Sequence, residues 1–300
     1  MTLEQAEGGA LSAFSDELAD AVDRAAASLV TVYGRQRQPA TGIAYAADVV
    51  LTADHVLERD EDLGIETPDG RRIEARLAGR DPASDLAVLR VSGLNVQAAT
   101  PASAEPRVGQ LALAVGRPSG RGHMASFGIV SGVGGPLRTG RGLTLDQYIR
   151  TDAVPYPGFS GGALVDAAGS VLGIVSTGLA GAAALAVPAA IAWRVAQMLA
   201  SQGRIRRGYI GVSSQPVRLS TPRGTQETGL LIVQVHADSP ALRAGLLVGD
   251  IIVAVEDHVV ADTDDLMRAL TGDRVGQAVG FQIVRGGTEQ RLEVAVGERA

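Results

Sequence analysis

The chain has 300 residues, enough for one large domain or two ordinary ones, and its 46% apolar and 20% charged composition is that of a soluble globular protein. A net charge of −6 argues against nucleic acid or an anionic membrane as the main partner. All 27 cationic residues are arginine and cysteine is absent, which excludes Ser-Lys dyads, Schiff-base chemistry, P-loop nucleotide binding, disulfides, thiolate nucleophiles and cysteine-ligated zinc.

The start, Met1-Thr-Leu-Glu-Gln-Ala-Glu7, has neither the basic nor the apolar region of a secretory signal. Read as it stands it predicts a cytoplasmic protein; a periplasmic or other extracytoplasmic location is the alternative if this start is not the native one. Leu11, Phe14, Leu18 and Val22 fall at helical spacing and predict an amphipathic N-terminal helical segment within residues 1–28.

From residue 29 the texture changes to short apolar runs punctuated by glycine and proline. The predicted strands are Leu29–Tyr33, Thr41–Tyr45, Val49–Thr52, Ile73–Ala78, Leu86–Val91, Leu111–Val115, Phe127–Val133, Ala163–Val165 and Val171–Ser176, with a tight turn at Asp166–Ser170. So many strands at close spacing predict a mostly β fold, a barrel or sandwich. The alanine-rich stretch from Gly178 to Ala200 is interrupted by Pro188 and carries Arg194, so no membrane span is expected. Pro188 instead opens a helix over Ala189–Ser201, which Gly203 closes.

The junction Arg204-Ile-Arg-Arg-Gly208 reads as a boundary, giving a first domain over 29–203 and a separate module over 204–300. In that module strands are expected near Ile210–Val212, Leu230–Val235, Asp250–Val255, Gly280–Arg285 and Gln290–Val296, with helices at Ser239–Ala244 and Thr263–Leu270. Thr263, Asp264 and Asp265 suit the N-terminal cap of the latter.

Three segments carry chemistry. Leu51-Thr-Ala-Asp-His-Val56 offers His55, Asp81-Pro-Ala-Ser-Asp-Leu-Ala-Val-Leu89 offers Asp85, and Tyr156-Pro-Gly-Phe-Ser-Gly-Gly-Ala-Leu164 offers Ser160. A serine hydroxyl needs a base to remove its proton, and the base needs a carboxylate to fix its tautomer. The order His, Asp, Ser is that of chymotrypsin-type double barrels. The glycines around Ser160 let the backbone turn N–H groups toward a substrate oxygen, and those of Gly158 and Ser160 are the natural oxyanion-hole donors. Gly158-Phe-Ser-Gly-Gly162 also fits the nucleophile elbow of α/β-hydrolases, which requires a helix after the serine, whereas a β-hairpin is predicted here. His123, His236 and His258 read as exposed polar residues. No spaced ligand set is present, so neither a metal nor another cofactor is expected.

These segments resemble the histidine, aspartate and serine motifs of the HtrA/Deg family of PDZ-containing serine proteases, and the resemblance runs from Leu29 to Val296. The separations, 30 residues from His55 to Asp85 and 75 from Asp85 to Ser160, match as well. Phe159 stands where the family usually has Asn, at a position that gives the oxyanion loop backbone and not side chain. The resemblance implies a chymotrypsin-like domain of two six-stranded β-barrels followed by one PDZ domain. It implies an endopeptidase acting on unfolded or misfolded polypeptides, with capture of C-terminal peptides by the PDZ domain as the regulatory input, and a homotrimer in which Phe14 and Leu18 are candidate contacts. The alternative is a chaperone-like scaffold with a vestigial protease domain.

In the second module Arg207-Gly-Tyr-Ile-Gly-Val212 and Ala237–Leu246 are similar to a PDZ domain of this type. Tyr209, Ile210, Gly211 and Val212 match the carboxylate loop, with Leu266, Met267 and Leu270 expected to line the pocket beside it. Such folds place the floor of the primary specificity pocket six residues before the nucleophile, at Val154. With Gly178–Val187, all glycine and aliphatic and including Leu185, resembling the pocket wall, an apolar pocket of small to medium size is expected.

Overall fold

The computed structural model describes residues 3–36, 38–119, 122–138, 144–179, 184–204, 208–270 and 274–298. The chain forms two compact units, Met1–Ile205 and Arg206–Ala300.

The first unit holds α1 (Leu3–Ala26) and two closed barrels. The strands of the first barrel are β1 (Leu29–Tyr33), β2 (Ala40–Ala46), β3 (Val49–Ala53), β4 (Leu63–Glu66), β5 (Arg72–Asp81) and β6 (Leu86–Arg90). They pair in the order β1-β2-β3-β6-β5-β4, and β4 closes on β1 with Val32 opposite Ile65. The second barrel uses β7 (Leu111–Ser119), β8 (Gly122–Gly134), β11 (Tyr148–Thr151), β12 (Ala163–Val165), β13 (Val171–Ser176) and β14 (Leu185–Pro188), in the order β11-β14-β13-β12-β7-β8. Two short strands, β9 (Leu137–Arg138) and β10 (Thr144–Leu145), pair with each other.

The apolar runs of β1, β3 and β6 are continuous because both of their faces are buried. Val30, Val32, Val50, Ala87 and Leu89 pack with residues of the first barrel alone. The alternate residues Leu29, Ile43, Leu51, Leu86 and Val88 join Leu113, Val115, Ala163 and Ile174 of the second barrel in one large core. The helix α2 (Ala189–Gln202) packs Ala192, Val195, Ala196 and Leu199 on that core, and Gly203 ends it at φ +74°, its N–H bonded to Leu199 O. The N-terminal segment is not separate. Ala21 and Ala25 of α1 are buried in the same core, Leu18 packs against it, and Arg24 Nε donates to Ala168 O at 3.0 Å.

The second unit is a sheet of β16 (Val212–Arg223), β17 (Gln226–Val235), β18 (Ile251–Val255), β20 (Ala278–Arg285) and β21 (Thr288–Ala295), paired in that order. The short β19 (His258–Val259) pairs with β18, and β15 (Gly208–Tyr209) with β22 (Gly297–Glu298). The helices α3 (Pro240–Arg243) and α4 (Thr263–Leu270) complete it. The helix α4 is capped one residue earlier than expected. Asp262 Oδ1 takes the Asp265 N–H at 2.8 Å, and Asp265 Oδ2 takes the N–H of Ala261, the residue before the cap, at 2.9 Å.

Candidate active site

Ala53 at the end of β3 lies opposite Leu86 at the start of β6, so the turns flanking those strands emerge side by side. The single helical turn Asp54–Val56 after β3 presents His55, and the Asp54 N–H donates to Asp85 O at 2.9 Å. Asp85 sits at φ +54°, a left-handed conformation that a short polar side chain tolerates, and this turns its carboxylate back toward His55. Oδ1 accepts the His55 backbone N–H at 2.9 Å, and Oδ2 lies 2.7 Å from His55 Nδ1. With the Nδ1 proton given to a buried carboxylate, Nε2 is left as the acceptor, the tautomer a general base requires.

Ser160 comes from the other barrel, on the turn before β12. The next element after this serine is a strand, so the nucleophile-elbow arrangement is absent. The loop is tightly specified. Gly158 and Gly161 lie at φ +90° and +86°, the Phe159 N–H donates to Tyr156 O, and the Gly162 N–H donates to Phe159 O. Among the described residues, neither the Gly158 nor the Ser160 N–H is taken by a protein acceptor, whereas that of Phe159 is. Phe159 therefore serves as an anchor. Its ring is wholly buried, meets Tyr156 edge-on at 5.5 Å, and fills the space where a side chain on Gly116 would stand.

Four residues of the site lie outside the quoted motifs, and a fifth, Thr52, lies in the histidine segment with a role of its own. Thr41, on β2 of the first barrel, clamps the loop of the second. Its Oγ1 donates to Gly158 O at 2.8 Å and its N–H donates to Ser160 O at 3.2 Å. The same Oγ1 accepts the Arg117 N–H at 2.8 Å, and Thr52 Oγ1 donates to Thr41 O at 2.7 Å. The other three are consecutive. Ser176 Oγ donates to Asp85 Oδ2, Thr177 Oγ1 lies 2.9 Å from Ser160 Oγ, and Gly178 abuts the His55 ring so closely that a Cβ would fall 2.6 Å from Nδ1. The end of the apolar strand Val171–Ser176 is the one sequence signal that points to them.

Behind Thr41, the Arg117 guanidinium donates to Pro68 O at 3.0 Å near the buried Glu66. The Tyr33 hydroxyl first, then Arg72 and the Arg117 charge, hold the Glu66 carboxyl below its usual range against the opposing effect of burial.

The expected pocket is not assembled as read. Val154 is 56% exposed, and its carbonyl accepts from Ser126 Oγ at 2.6 Å. Leu185 is buried in the large core because β14 pairs it opposite Ser176 of β13. Part of the expected wall, residues 180–183, lies outside the described residues.

In the second unit, Gly211 is at φ +78° with Ser239 Cβ only 2.3 Å from where its own Cβ would be. The carbonyls of Ile210 and Gly211 accept from Ala241 and His236 at 2.8 Å, while the N–H groups of Ile210 and Gly211 meet no acceptor among the described residues. Two adjacent free amides make an anion-binding concavity. Tyr209 and Val212 flank it on β15 and β16, and β16 is the edge strand of its sheet. Leu266 and Leu270 are not pocket walls as packed. They face inward with Phe281 and Ile283, which leaves the half-buried Met267 as the accessible apolar side chain of the three.

A trypsin-like peptidase domain model matches residues 40–174 and a PDZ domain model matches residues 208–296. The probable periplasmic serine endoprotease DegP-like of Ectopseudomonas mendocina is 34% identical over 281 residues, covering 88% of this chain and 58% of that protein. The protein of the same description from Pseudomonas putida (strain GB-1) is 34% identical over 258 residues, 83% of this chain and 53% of its own length. The chain thus spans about half the length of the curated relatives it matches. Among solved structures, the HtrA-type protease AlgW with decapeptide superposes with TM-score 0.81 at 30% identity, covering 94% of this chain and 99% of that one. The serine endoprotease from Yersinia pestis gives TM-score 0.76 at 30% identity, with 94% and 98% covered.

Proposed function

The chain belongs to the HtrA/Deg family of PDZ-containing serine proteases, and on that premise we propose that it is an endopeptidase working through Ser160, His55 and Asp85. The observation that carries the reading is the meeting of two barrels at one point. A histidine oriented by a buried carboxylate stands on one, and on the other a serine lies in a loop with two unclaimed N–H groups.

Ser160 Oγ attacks the scissile carbonyl carbon while His55 Nε2 takes its proton, and Asp85 holds the imidazolium so formed. The charge that develops on the carbonyl oxygen falls to the N–H groups of Gly158 and Ser160, each such donor being worth ~3 kcal/mol in other enzymes. The imidazolium then protonates the departing amine, leaving an acyl ester on Ser160. Water, activated by the same base, hydrolyses the ester.

The substrates in this reading are unfolded polypeptides, and the free amides of Ile210 and Gly211 receive the carboxylate of a C-terminal peptide whose backbone extends along the β16 edge. A homotrimer is part of the proposal. The exposed Leu11 and Phe14 on α1 suit such a contact better than Leu18, which packs inward, and a monomer mass by light scattering would refute it. The names of the relatives place those proteins in the periplasm and give the cytoplasmic expectation no support, so an extracytoplasmic location is the one proposed. No helix among the described residues is long and apolar enough to cross a membrane.

A silent protease unit on a peptide-binding scaffold is the second reading, and it draws on one observation, the bond of Ser160 Oγ to Thr177. Labelling with a fluorophosphonate separates the two. Stoichiometric modification of Ser160, lost in Ser160→Ala together with casein cleavage, supports the enzyme. No modification supports the scaffold.

A further inference from the structure

The tripeptide Ser176-Thr177-Gly178 touches each member of the proposed triad in turn: Ser176 bonds Asp85, Thr177 bonds Ser160, and Gly178 packs on His55. The first and last contacts orient a carboxylate and an imidazole for the reaction. The middle one does the opposite. Ser160 Oγ lies 2.9 Å from Thr177 Oγ1 and accepts the Thr177 N–H at 3.3 Å, and among the described residues it has no bond to His55.

A serine hydroxyl has one proton and two lone pairs. If Ser160 donates to Thr177, its proton points away from His55 Nε2 and cannot be abstracted without a rotation. If Thr177 donates instead, its hydroxyl and its N–H together occupy both lone pairs of Oγ and draw on the electron density that would attack carbon. Whichever hydroxyl donates, the bonded state is the less reactive one, off the base in the first arrangement and less nucleophilic in the second.

Resting on the assignment of Ser160 as nucleophile, we propose that Thr177 is a positioning residue that holds the serine in an off-base, resting arrangement. Catalysis draws on the fraction of molecules in which this bond is open. Thr177 is exposed, at the open end of β13 beside the nucleophile, so its hydroxyl contributes nothing to the core and can be changed without disturbing the barrels.

The test is the second-order rate of fluorophosphonate labelling of Ser160 in full-length wild type, Thr177→Val, Thr177→Ala and Thr177→Ser, with melting temperature measured in parallel. Valine keeps the shape of threonine without the hydroxyl, so Thr177→Val is expected to label roughly 2- to 10-fold faster, the population change that accompanies loss of one neutral hydrogen bond. Thr177→Ala should behave in the same way. Thr177→Ser, which restores a hydroxyl at the same place, should return to the wild-type rate, which mere loosening of the loop would not produce. Labelling of Thr177→Val and Thr177→Ala at or below the wild-type rate overturns the proposal while leaving Ser160 as the nucleophile. Absence of labelling in every protein overturns both.

Discussion

Thr41→Val tests how the oxyanion loop is held. The substitution keeps shape and burial but removes a hydroxyl that donates to Gly158 O and accepts from Arg117 N, each at 2.8 Å, in a wholly buried position. Both partners are left unsatisfied, and an unmet buried polar group costs ~1–3 kcal/mol. The total, about 2–6 kcal/mol, corresponds to a fall in melting temperature of roughly 5–20 °C for a unit of this size. The catalytic effect is separate. The Gly158 carbonyl belongs to the peptide plane lying between the Gly158 and Ser160 N–H groups, the proposed oxyanion donors. Freeing it lets that plane rotate, and misplacing one donor costs about 10²–10³ in turnover. Casein or peptide cleavage measured well below the lowered melting temperature isolates this second effect. Thr41→Ser, which keeps the hydroxyl, should lose little of either. If Thr41→Val cleaves at the wild-type rate and melts within about 2 °C of it, the clamp has no energetic standing and the reasoning fails.

The same geometry gives three further expected outcomes. Gly178→Ala would put a methyl 2.6 Å from His55 Nδ1 and 3.0 Å from Asp85 Oδ2, so kcat/KM should fall by about 10²-fold with little change in melting temperature; wild-type activity would contradict the contact. Gly211→Ala forces a side chain at φ +78° against Ser239 and should abolish binding of a fluorescent C-terminal peptide, while Ser160 labelling continues; an unchanged Kd would refute the carboxylate loop. Glu66 is held below its usual range by Tyr33 and Arg72, so its charge stabilises the fold fully above about pH 4.5, and that contribution is lost as pH falls through the lower native value. The melting-temperature gap between wild type and Glu66→Gln should therefore shrink from about pH 6 to about pH 3, and a constant gap would be inconsistent with the shift.

Most of the first barrel could be read from apolar runs, because strands buried on both faces leave Val49-Val-Leu-Thr-Ala53 or Leu86–Leu89 with almost no polar interruption. The strands that escaped notice have weak patterns for identifiable reasons. β4 is four residues long beside an acidic run, and β14 is half alanine and proline. β16 is polar and contains Pro216 and Pro222, which an edge strand with one unpaired side accommodates. His55, Asp85 and Ser160 were legible because each sits in a local motif. Thr41 and Ser176–Gly178 were not, since their roles exist only across spans such as the 91 residues from Asp85 to Ser176. Counting back from Ser160 to Val154 gives a position in the chain but not the direction of a side chain on an irregular loop.

His55 and Asp85 are mounted on one closed cylinder and Ser160 on another, and Thr41 is a pin driven through the seam. Each cylinder closes its own ring of strand pairing, while Leu29, Ile43 and Leu51 of one and Leu113, Val115 and Ile174 of the other meet in a shared core. A slip of about an ångström along that seam would separate base from nucleophile without melting a strand. The strand pairing that closes each ring and the bonds that align the two rings are thus separate sets, and loss of the second alone would part His55 from Ser160 while both rings stayed closed.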